Sequence, residues 1–171
     1  MIFPEMLRAG RTIAKAESME VVVAVAPTMQ EEHFRRFYNV EGVHLVKDAS
    51  YEVMANSDFA LVTSGTATLE TGLFGTPMVV VYKTSWPTYL LGRLLIHVKN
   101  IGLVNIVAGK QIVPEFIQHR ASASTMAQEV IRLLENSDLL ASMKQELQSV
   151  KGRLGEFGAS QRVAQRILQM V

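Results

Sequence analysis

Residues 61–70 read Leu-Val-Thr-Ser-Gly-Thr-Ala-Thr-Leu-Glu, and this stretch decides how the rest of the chain is interpreted. An apolar run ends in a small, hydroxyl-rich turn, and a helical pattern begins directly after the turn. Backbone N–H groups at the start of a helix lack partners within the helix and attract anions. The residues predicted to approach and bind a phosphate are Ser64, Gly65, Thr66 and Thr68.

Glu70 extends this prediction from a phosphate to a nucleotide. A carboxylate one helical turn beyond Thr66 is poorly suited to a diphosphate but well suited to accept hydrogen bonds from a ribose diol. The chain has neither the Gly-x-x-x-x-Gly-Lys-Ser/Thr loop nor the Gly-x-Gly-x-x-Gly fingerprint, so neither an ATPase nor a dinucleotide site is supported. The alternative is that Ser64 and Thr66 only cap a helix and that Glu70 is solvated.

Composition narrows the class of protein. With 171 residues, 49% of them hydrophobic, the chain can bury one sizeable core. A net charge of +1 gives no global field for nucleic acid or anionic lipid. The absence of cysteine excludes disulfides and is compatible with a reducing compartment. No apolar stretch approaches the roughly 20 residues of a membrane span, and no signal-peptide pattern is present, so a cytoplasmic protein is expected, at most peripheral to a membrane.

Short β-branched runs alternate with helical patterns, which predicts a doubly wound parallel sheet of about four to five strands, followed by C-terminal helices. The first strand is a short β-branched run after Glu20 and is expected to be buried on both faces. A capping box at residues 28–31 opens the second helix, with Phe34 and Phe37 facing the sheet. The predicted strands are 20–26, 43–46, 59–62 and 78–82, and the predicted helices before residue 75 start at Pro4 and cover 28–36, 50–55 and 66–74.

The chain changes character after Tyr82. Residues 102–109 are predicted to be a strand or an extended loop. The apolar stretch from Trp86 to Ile96 is either a helix packed on the sheet, the more frequent case, or an exposed patch at a membrane surface. Further helices are predicted at 113–118, 124–136, 138–150 and 159–170.

Ligands of open parallel sheets bind at the carboxyl ends of the strands, where the Ser64 turn, the turn after Val46 and Lys83 all fall. Lys83 is either a diphosphate ligand or an ordinary strand-end lysine. Asn105 stands alone in an apolar segment, so its amide needs a partner, which is either a ligand or the backbone. The four histidines lack metal-ligand spacing, Ser64 does not lie in a Gly-x-Ser-x-Gly motif, and no complete catalytic set is visible.

Three segments, residues 64–70, 75–83 and 104–115, together resemble the C-terminal half of lipid-A-disaccharide synthase. The likeness runs from about residue 3 to the C-terminus. It implies a GT-B hexosyltransferase that forms the lipid A disaccharide from UDP-2,3-diacylglucosamine and 2,3-diacylglucosamine 1-phosphate. The family needs neither a metal nor another cofactor. It works on the inner face of the cytoplasmic membrane, which raises the expectation that part of the Trp86 to Ile96 stretch is exposed.

The resemblance also assigns roles to residues of this chain. Glu70 would bind the ribose, and Asn105 would lie near the donor. Val46 and Lys47 would flank the uracil. The residues that would hold the diphosphate or the sugar are Ser64, Gly65, Thr66 and Thr68. No catalytic residue is assigned to this chain, because the presumed general base belongs to the family's N-terminal domain.

The chain departs from the family pattern at its beginning, where an N-terminal domain and a strand ending in a Gly-Ser-Arg turn are missing. In the usual 3-2-1-4-5 order that strand is central. Residues 21–26 would then pair directly with 59–62 or leave a gap. We expect one truncated nucleotide-sugar-binding domain over 1–171, with 123–171 as its helical extension, that is inactive alone.

Two further hypotheses stay open. The first is another GT-B glycosyltransferase or a UDP-sugar 2-epimerase, since both share a similar turn and glutamate. The second is a non-catalytic remnant that binds nucleotide or assembles with itself, for example as a homodimer, through the C-terminal helices.

Overall fold

A computed structural model of the chain describes residues 2–89, 99–155 and 158–170. It is an α/β structure in which the described strands pair in parallel, as the sequence predicts. The first half contains α1 (Phe3–Glu17), β1 (Val21–Val25), α2 (Glu31–Phe37), β2 (Val43–Lys47), α3 (Ser50–Asn56), β3 (Ala60–Thr63), α4 (Thr66–Leu73) and β4 (Met78–Tyr82). The second half contains α5 (Leu103–Ala108), β5 (Glu115–Ile117), a 3₁₀ turn (Gln118–Arg120), α6 (Ala123–Leu134), α7 (Ser137–Arg153) and α8 (Ala159–Leu168).

The strands form two sheets. One has the order β3-β4-β5 and the other pairs β1 with β2. In the part of the chain that is described, no strand pairing joins β1 to β3. Of the two arrangements expected from the sequence, the gap is therefore the one observed.

The larger core surrounds β4, whose residues Met78 to Val81 are fully buried. Strands β3 and β5 flank β4, and α4 packs against α5 and α7 beside them. A continuous apolar strand buried on both faces is typical of the centre of a parallel sheet. Strand β4 is thus the fixed element from which the loops at its carboxyl end are positioned.

A second, smaller core lies between β1, β2 and α2 and contains Val25, Phe34 and Val43. Helix α1 contributes to both cores, since Leu7 lies in the smaller one while Ala9 and Ile13 lie in the larger one. Helix α3 contacts both β1 and α4. Side-chain packing of these two helices therefore links the two sheets.

The first strand is less buried than its sequence predicts. Solvent exposure alternates along β1: Val25 is buried, whereas Val22 is 42% exposed and Ala24 is also exposed. The prediction of burial on both faces is wrong here, because one face of β1 is left partly uncovered.

The start of α2 also differs from the prediction. Helix α2 begins after Gln30 without a cap from any described side chain, so the predicted capping box does not form. Phe37, expected to face the sheet, is 60% exposed, whereas Phe34 is buried as expected.

Two elements of the second half have a different type from the one predicted. Residues 103–108 form helix α5, begun by Gly102 and ended by Gly109 in the left-handed conformation (φ 68°). Residues 115–117 form strand β5, paired with β4, where a helix over 113–118 was expected. Short apolar runs fit both a buried strand and a buried helix, so pattern alone cannot separate the two.

The remaining helices start and end within a few residues of their predicted bounds. Helix α8 has no buried residue along its described length, and its apolar side chains Val163, Ile167 and Leu168 are exposed. Trp86 is 68% exposed, but residues 90–96 of the predicted interfacial stretch lie outside the described residues. Within the described ranges, no helix combines the length and the apolar character needed to cross a membrane.

Replacing Gly72 with alanine should destabilise the fold. A Cβ atom added at Gly72 would lie 2.8 Å from Val104 Cγ2, inside the tight α4–α5 contact. Overpacking of this kind costs about 1 to 3 kcal/mol, which exceeds the gain in helix propensity of up to about 1 kcal/mol. Urea unfolding of the Gly72→Ala variant measures the difference.

Gly10→Ala is the matched control, because Gly10 is also helical but its added Cβ would make an ordinary contact of 3.4 Å with Val21. This control should be neutral or stabilising by up to about 1 kcal/mol. Equal effects of the two substitutions would contradict the close packing of α4 on α5.

Candidate functional site

The turn between β3 and α4 is open to solvent. Gly65 has φ 152° and ψ −165°, a region of backbone space that is essentially restricted to glycine. Gly65 and Thr66 are exposed, and no described side chain caps the start of α4. The β-carbon of any other residue at position 65 would strain this turn, which accounts for the glycine.

Three consecutive backbone N–H groups are available at the turn. The Ser64 N–H donates to the Val81 carbonyl (3.0 Å) and the Thr68 N–H donates to the Gly65 carbonyl (3.2 Å). The N–H groups between them, on residues 65–67, have no acceptor among the residues that the structure describes. Unpaired N–H groups at a helix start carry a partial positive charge, so this geometry suits an anion.

Two hydroxyl groups of the turn, those of Ser64 and Thr68, are bound to backbone carbonyls of the protein, whereas Thr66 is exposed. Ser64 Oγ donates to the Ile101 carbonyl (2.9 Å), so its proton is not free for a phosphate. Thr68 is fully buried and its Oγ1 donates to the Gly65 carbonyl (2.9 Å). The structure thus places Thr68 beneath the turn, where its hydroxyl supports the Gly65 carbonyl. A contact of Thr68 with a ligand stays a prediction.

The other predicted contact residues lie on α4, after β4 and at the end of β2. Glu70 is half-buried, four residues after Thr66 and hence on the same face of α4. Lys83 is exposed directly after β4. Val46 is half-buried and Lys47 exposed, both at the carboxyl end of β2. Val46, Lys47 and Lys83 therefore sit at strand ends of the predicted edge, and Glu70 lies one turn into α4. Strand β2 belongs to a different sheet from β3 and β4.

Asn105 is fully buried, and its amide is satisfied by the protein. Its Nδ2 donates to the Val113 carbonyl (2.9 Å) and to Glu115 Oε1 (2.8 Å). Its Oδ1 accepts from the N–H groups of Ile112 (2.8 Å) and Val113 (3.0 Å). Of the two partners considered for Asn105, the backbone is the one observed, together with a carboxylate. A contact of Asn105 with the donor stays a prediction.

Sequence reasoning missed Glu115, which lies at the start of β5 and is only 7% exposed. Its Oε1 accepts from the Gly102 N–H (3.0 Å), and its Oε2 accepts from the Ile101 N–H (3.0 Å). The available signal was a lone carboxylate within the apolar run 112–117, since a buried charge needs hydrogen-bond donors.

Gln118 was also missed, and it anchors the chain after β4. Its Oε1 accepts from the Thr84 N–H (2.8 Å) and its Nε2 donates to the Thr84 carbonyl (3.1 Å). Gln118 has φ 54°, an unusual value for a residue other than glycine. This two-point contact holds the residue next to Lys83.

No three His, Asp or Glu side chains come together in a way that could hold a metal ion, as far as the chain is described. The donors that the site offers to a ligand are instead the backbone N–H groups of the turn, with Lys83 nearby at the end of β4.

Parallel strands, covering helices and a glycine turn at a helix start define a Rossmann-like α/β fold, of the kind that forms the C-terminal domain of GT-B glycosyltransferases. The chain belongs to the lipid-A-disaccharide synthetase family, whose model matches residues 6–170.

Curated relatives agree with this family. A lipid-A-disaccharide synthase of Anaeromyxobacter dehalogenans is 43% identical over 98% of this chain. Those of Syntrophus aciditrophicus and Myxococcus xanthus are 39% and 38% identical over 99% of it. In each case the match covers 45% of the relative, so the chain spans about half the length of the curated relatives it matches.

Replacing Asn105 with leucine should strongly destabilise the fold. The substitution keeps the branched shape of the side chain but removes four hydrogen bonds. The N–H groups of Ile112 and Val113 and the Val113 carbonyl lose their bonds to residue 105, and Glu115 loses one of its donors. A loss on the order of 3 to 5 kcal/mol is expected by urea unfolding.

The matched control is Asn56→Leu, because Asn56 is exposed at the end of α3. Its effect should stay within about 0.5 kcal/mol. A small effect at position 105 would show that other groups can replace the buried amide.

Proposed function

We propose that residues 64–70 bind the UDP of a sugar nucleotide, and that this chain forms the donor-binding part of a glycosyltransferase that makes the lipid A disaccharide. The observation that carries the proposal is the set of N–H groups at residues 65–67 that lack a described acceptor, with Glu70 one helical turn away. Family membership supports the reaction class. It also favours this function over a 2-epimerase or an unrelated GT-B enzyme.

The diphosphate would bind at the start of α4. The N–H groups of Gly65, Thr66 and Ala67 would donate to its oxygens, and the helix dipole would favour its negative charge. Charge on the departing phosphate increases as the bond to the sugar breaks, so donors fixed in advance stabilise the transition state more than the ground state. Lys83 is exposed after β4 and would add a positive charge. This mode of binding uses no metal ion.

The nucleoside would extend from the diphosphate past Glu70. A half-buried carboxylate can accept hydrogen bonds from both hydroxyls of a ribose. The same carboxylate would repel a phosphate, because both groups are negatively charged. Val46 and Lys47, at the carboxyl end of β2, would flank the uracil.

The acceptor would be an acylated glucosamine phosphate, which with the donor sugar would give a lipid A disaccharide, the product that the name of the relatives states for those proteins. We assign no residue of this chain to the general base. Acylated substrates partition into membranes, so we further propose peripheral contact of the protein with the inner face of the cytoplasmic membrane. The exposed Trp86 supports this contact, because tryptophan is favoured at the membrane–water interface.

Titration calorimetry with UDP tests the proposed site, and Glu70→Ala is the decisive variant. Loss of the ribose contact should weaken UDP binding by about 10- to 100-fold, the equivalent of roughly 1.4 to 2.8 kcal/mol. The unmodified protein should bind uridine 5′-diphosphate more tightly than 2′,3′-dideoxyuridine 5′-diphosphate, which lacks both ribose hydroxyls. The Glu70→Ala variant should bind the two with equal affinity.

Glu135→Ala serves as the control, since Glu135 is exposed at the end of α6, far along the chain from the turn. It should bind UDP as the unmodified protein does. Undiminished UDP affinity in Glu70→Ala would remove Glu70 from the ribose role, and absence of UDP binding to the unmodified chain would refute the nucleotide site.

A further inference from the structure

The Ser64 hydroxyl connects the glycine turn to a distant part of the chain. Its hydrogen bond to the Ile101 carbonyl (2.9 Å) spans 37 residues of sequence. Ser64 directly precedes Gly65, and its own N–H group is fixed on β4 through the Val81 carbonyl. The direction in which the following N–H groups point therefore depends on both anchors of Ser64.

The position of the Ile101 carbonyl is in turn set by Glu115. The Glu115 carboxylate accepts from the N–H groups of both Ile101 and Gly102, at 3.0 Å each. Asn105 donates to the same carboxylate (2.8 Å) and so fixes its orientation. Hydrogen bonds to a charged acceptor are stronger than neutral ones, so this contact orders the peptide whose carbonyl receives the Ser64 proton.

Packing at Gly102 confirms how closely the carboxylate approaches this backbone. A Cβ atom added at Gly102 would lie 3.2 Å from Glu115 Oε1 and 3.0 Å from Val80 Cγ2. The segment is thus held between the fully buried strand β4 and the Glu115 carboxylate, so closely that a β-carbon at position 102 would force a neighbouring atom to move.

From these contacts we infer that Glu115 is a positioning residue for the nucleotide site. It acts through the Ile101 carbonyl and the Ser64 hydroxyl to hold the Gly65 turn in the conformation that presents its N–H groups. Glu115 is itself buried beneath the turn's supporting backbone, so its action on a ligand is indirect. The inference rests on the proposed function, since the turn is taken to bind the diphosphate of UDP.

Glu115→Gln is the most direct test because it keeps the shape of the side chain. With its oxygen in the place of Oε1, the new amide would still accept from Gly102 and Asn105, and from Ile101 over the longer distance of 3.2 Å. Its NH₂ group would take the place of Oε2, the closer acceptor of the Ile101 N–H group (3.0 Å), and would face that donor with another donor. We expect UDP affinity to fall by about 5- to 10-fold in titration calorimetry, because the turn loses its preorganisation.

A double-mutant cycle with Ser64→Ala separates positioning from general destabilisation. If Glu115 acts through Ser64, then Glu115→Gln should lower UDP affinity no further, within about two-fold, once Ser64 is alanine. Multiplication of the two single effects in the double variant would overturn the inference.

Thr76→Val is the control for the loss of a buried hydrogen bond elsewhere. The Thr76 hydroxyl is buried and donates to the Met54 carbonyl (2.6 Å), outside the chain of contacts to Ser64. This variant should lose stability but bind UDP normally. A loss of UDP affinity equal to that of Glu115→Gln would reduce Glu115 to a merely structural residue.

A second readout needs no ligand. Amide hydrogen exchange at Ile101 and Gly102 should accelerate in Glu115→Gln, and the amide resonances of Gly65 and Thr66 should shift, whereas Thr76→Val should change neither. Unshifted resonances at residues 65 and 66 would refute the inference even if UDP does not bind. Failure of UDP binding with shifted resonances would refute only the proposed function.

Gly102→Ala replaces Glu115→Gln in both experiments should the latter not fold. The added Cβ atom would crowd the same backbone against Glu115 Oε1, while the glutamate itself is not replaced. The same loss of UDP affinity and the same resonance shifts are expected, and unchanged values for both would count against the inference.

Discussion

The hydrogen bonds between Asn105, Glu115 and the surrounding backbone hold the second half of the structure together. A buried carboxylate and a buried amide, 2.8 Å apart, satisfy N–H groups at residues 101, 102, 112 and 113. Helix α5 has only six residues, too few for stability of its own, and β5 has three. Without these side chains, the segments that cover β4 would expose unpaired backbone groups to an apolar core.

The candidate site follows from the same arrangement. Strand β4 is buried throughout its centre, and its Val81 carbonyl anchors Ser64, while Gln118 anchors Thr84 beyond the strand end. The loops at the carboxyl edge are thus fixed by backbone contacts from several directions. A turn supported in this way can leave consecutive N–H groups unpaired at its surface, because the surrounding contacts supply the stability that the turn itself lacks.

The sequence predicts most of the parallel α/β order and the glycine turn, because long helical periodicities and continuous β-branched runs are compatible with few alternative structures. It fails where an element is short. Residues 103–108 and 115–117 are fixed by the hydrogen bonds of Asn105 and Glu115, whose partners are seven to fourteen residues away and cannot be seen in a local sequence pattern. Glu115 itself was overlooked because the run around it was assigned to a helix. The burial of Val22 and Phe37 was overestimated for a further reason. Apolar character shows that burial of a side chain would be favourable, but the elements packed around the side chain decide whether it is buried.

The division of the strands into two sheets has a mechanical consequence. Residues 46 and 47 belong to the β1–β2 sheet, whereas the glycine turn belongs to the β3–β4–β5 sheet. Across the described residues, no ladder of backbone hydrogen bonds joins the two sheets, and side chains of α1 and α3 bridge them instead. Interdigitated side chains yield to small sliding movements more readily than a continuous ladder does. The spacing between the two halves of the edge is therefore set by the packing of α1 and α3, and a molecule bound to both halves would resist any displacement of one sheet relative to the other.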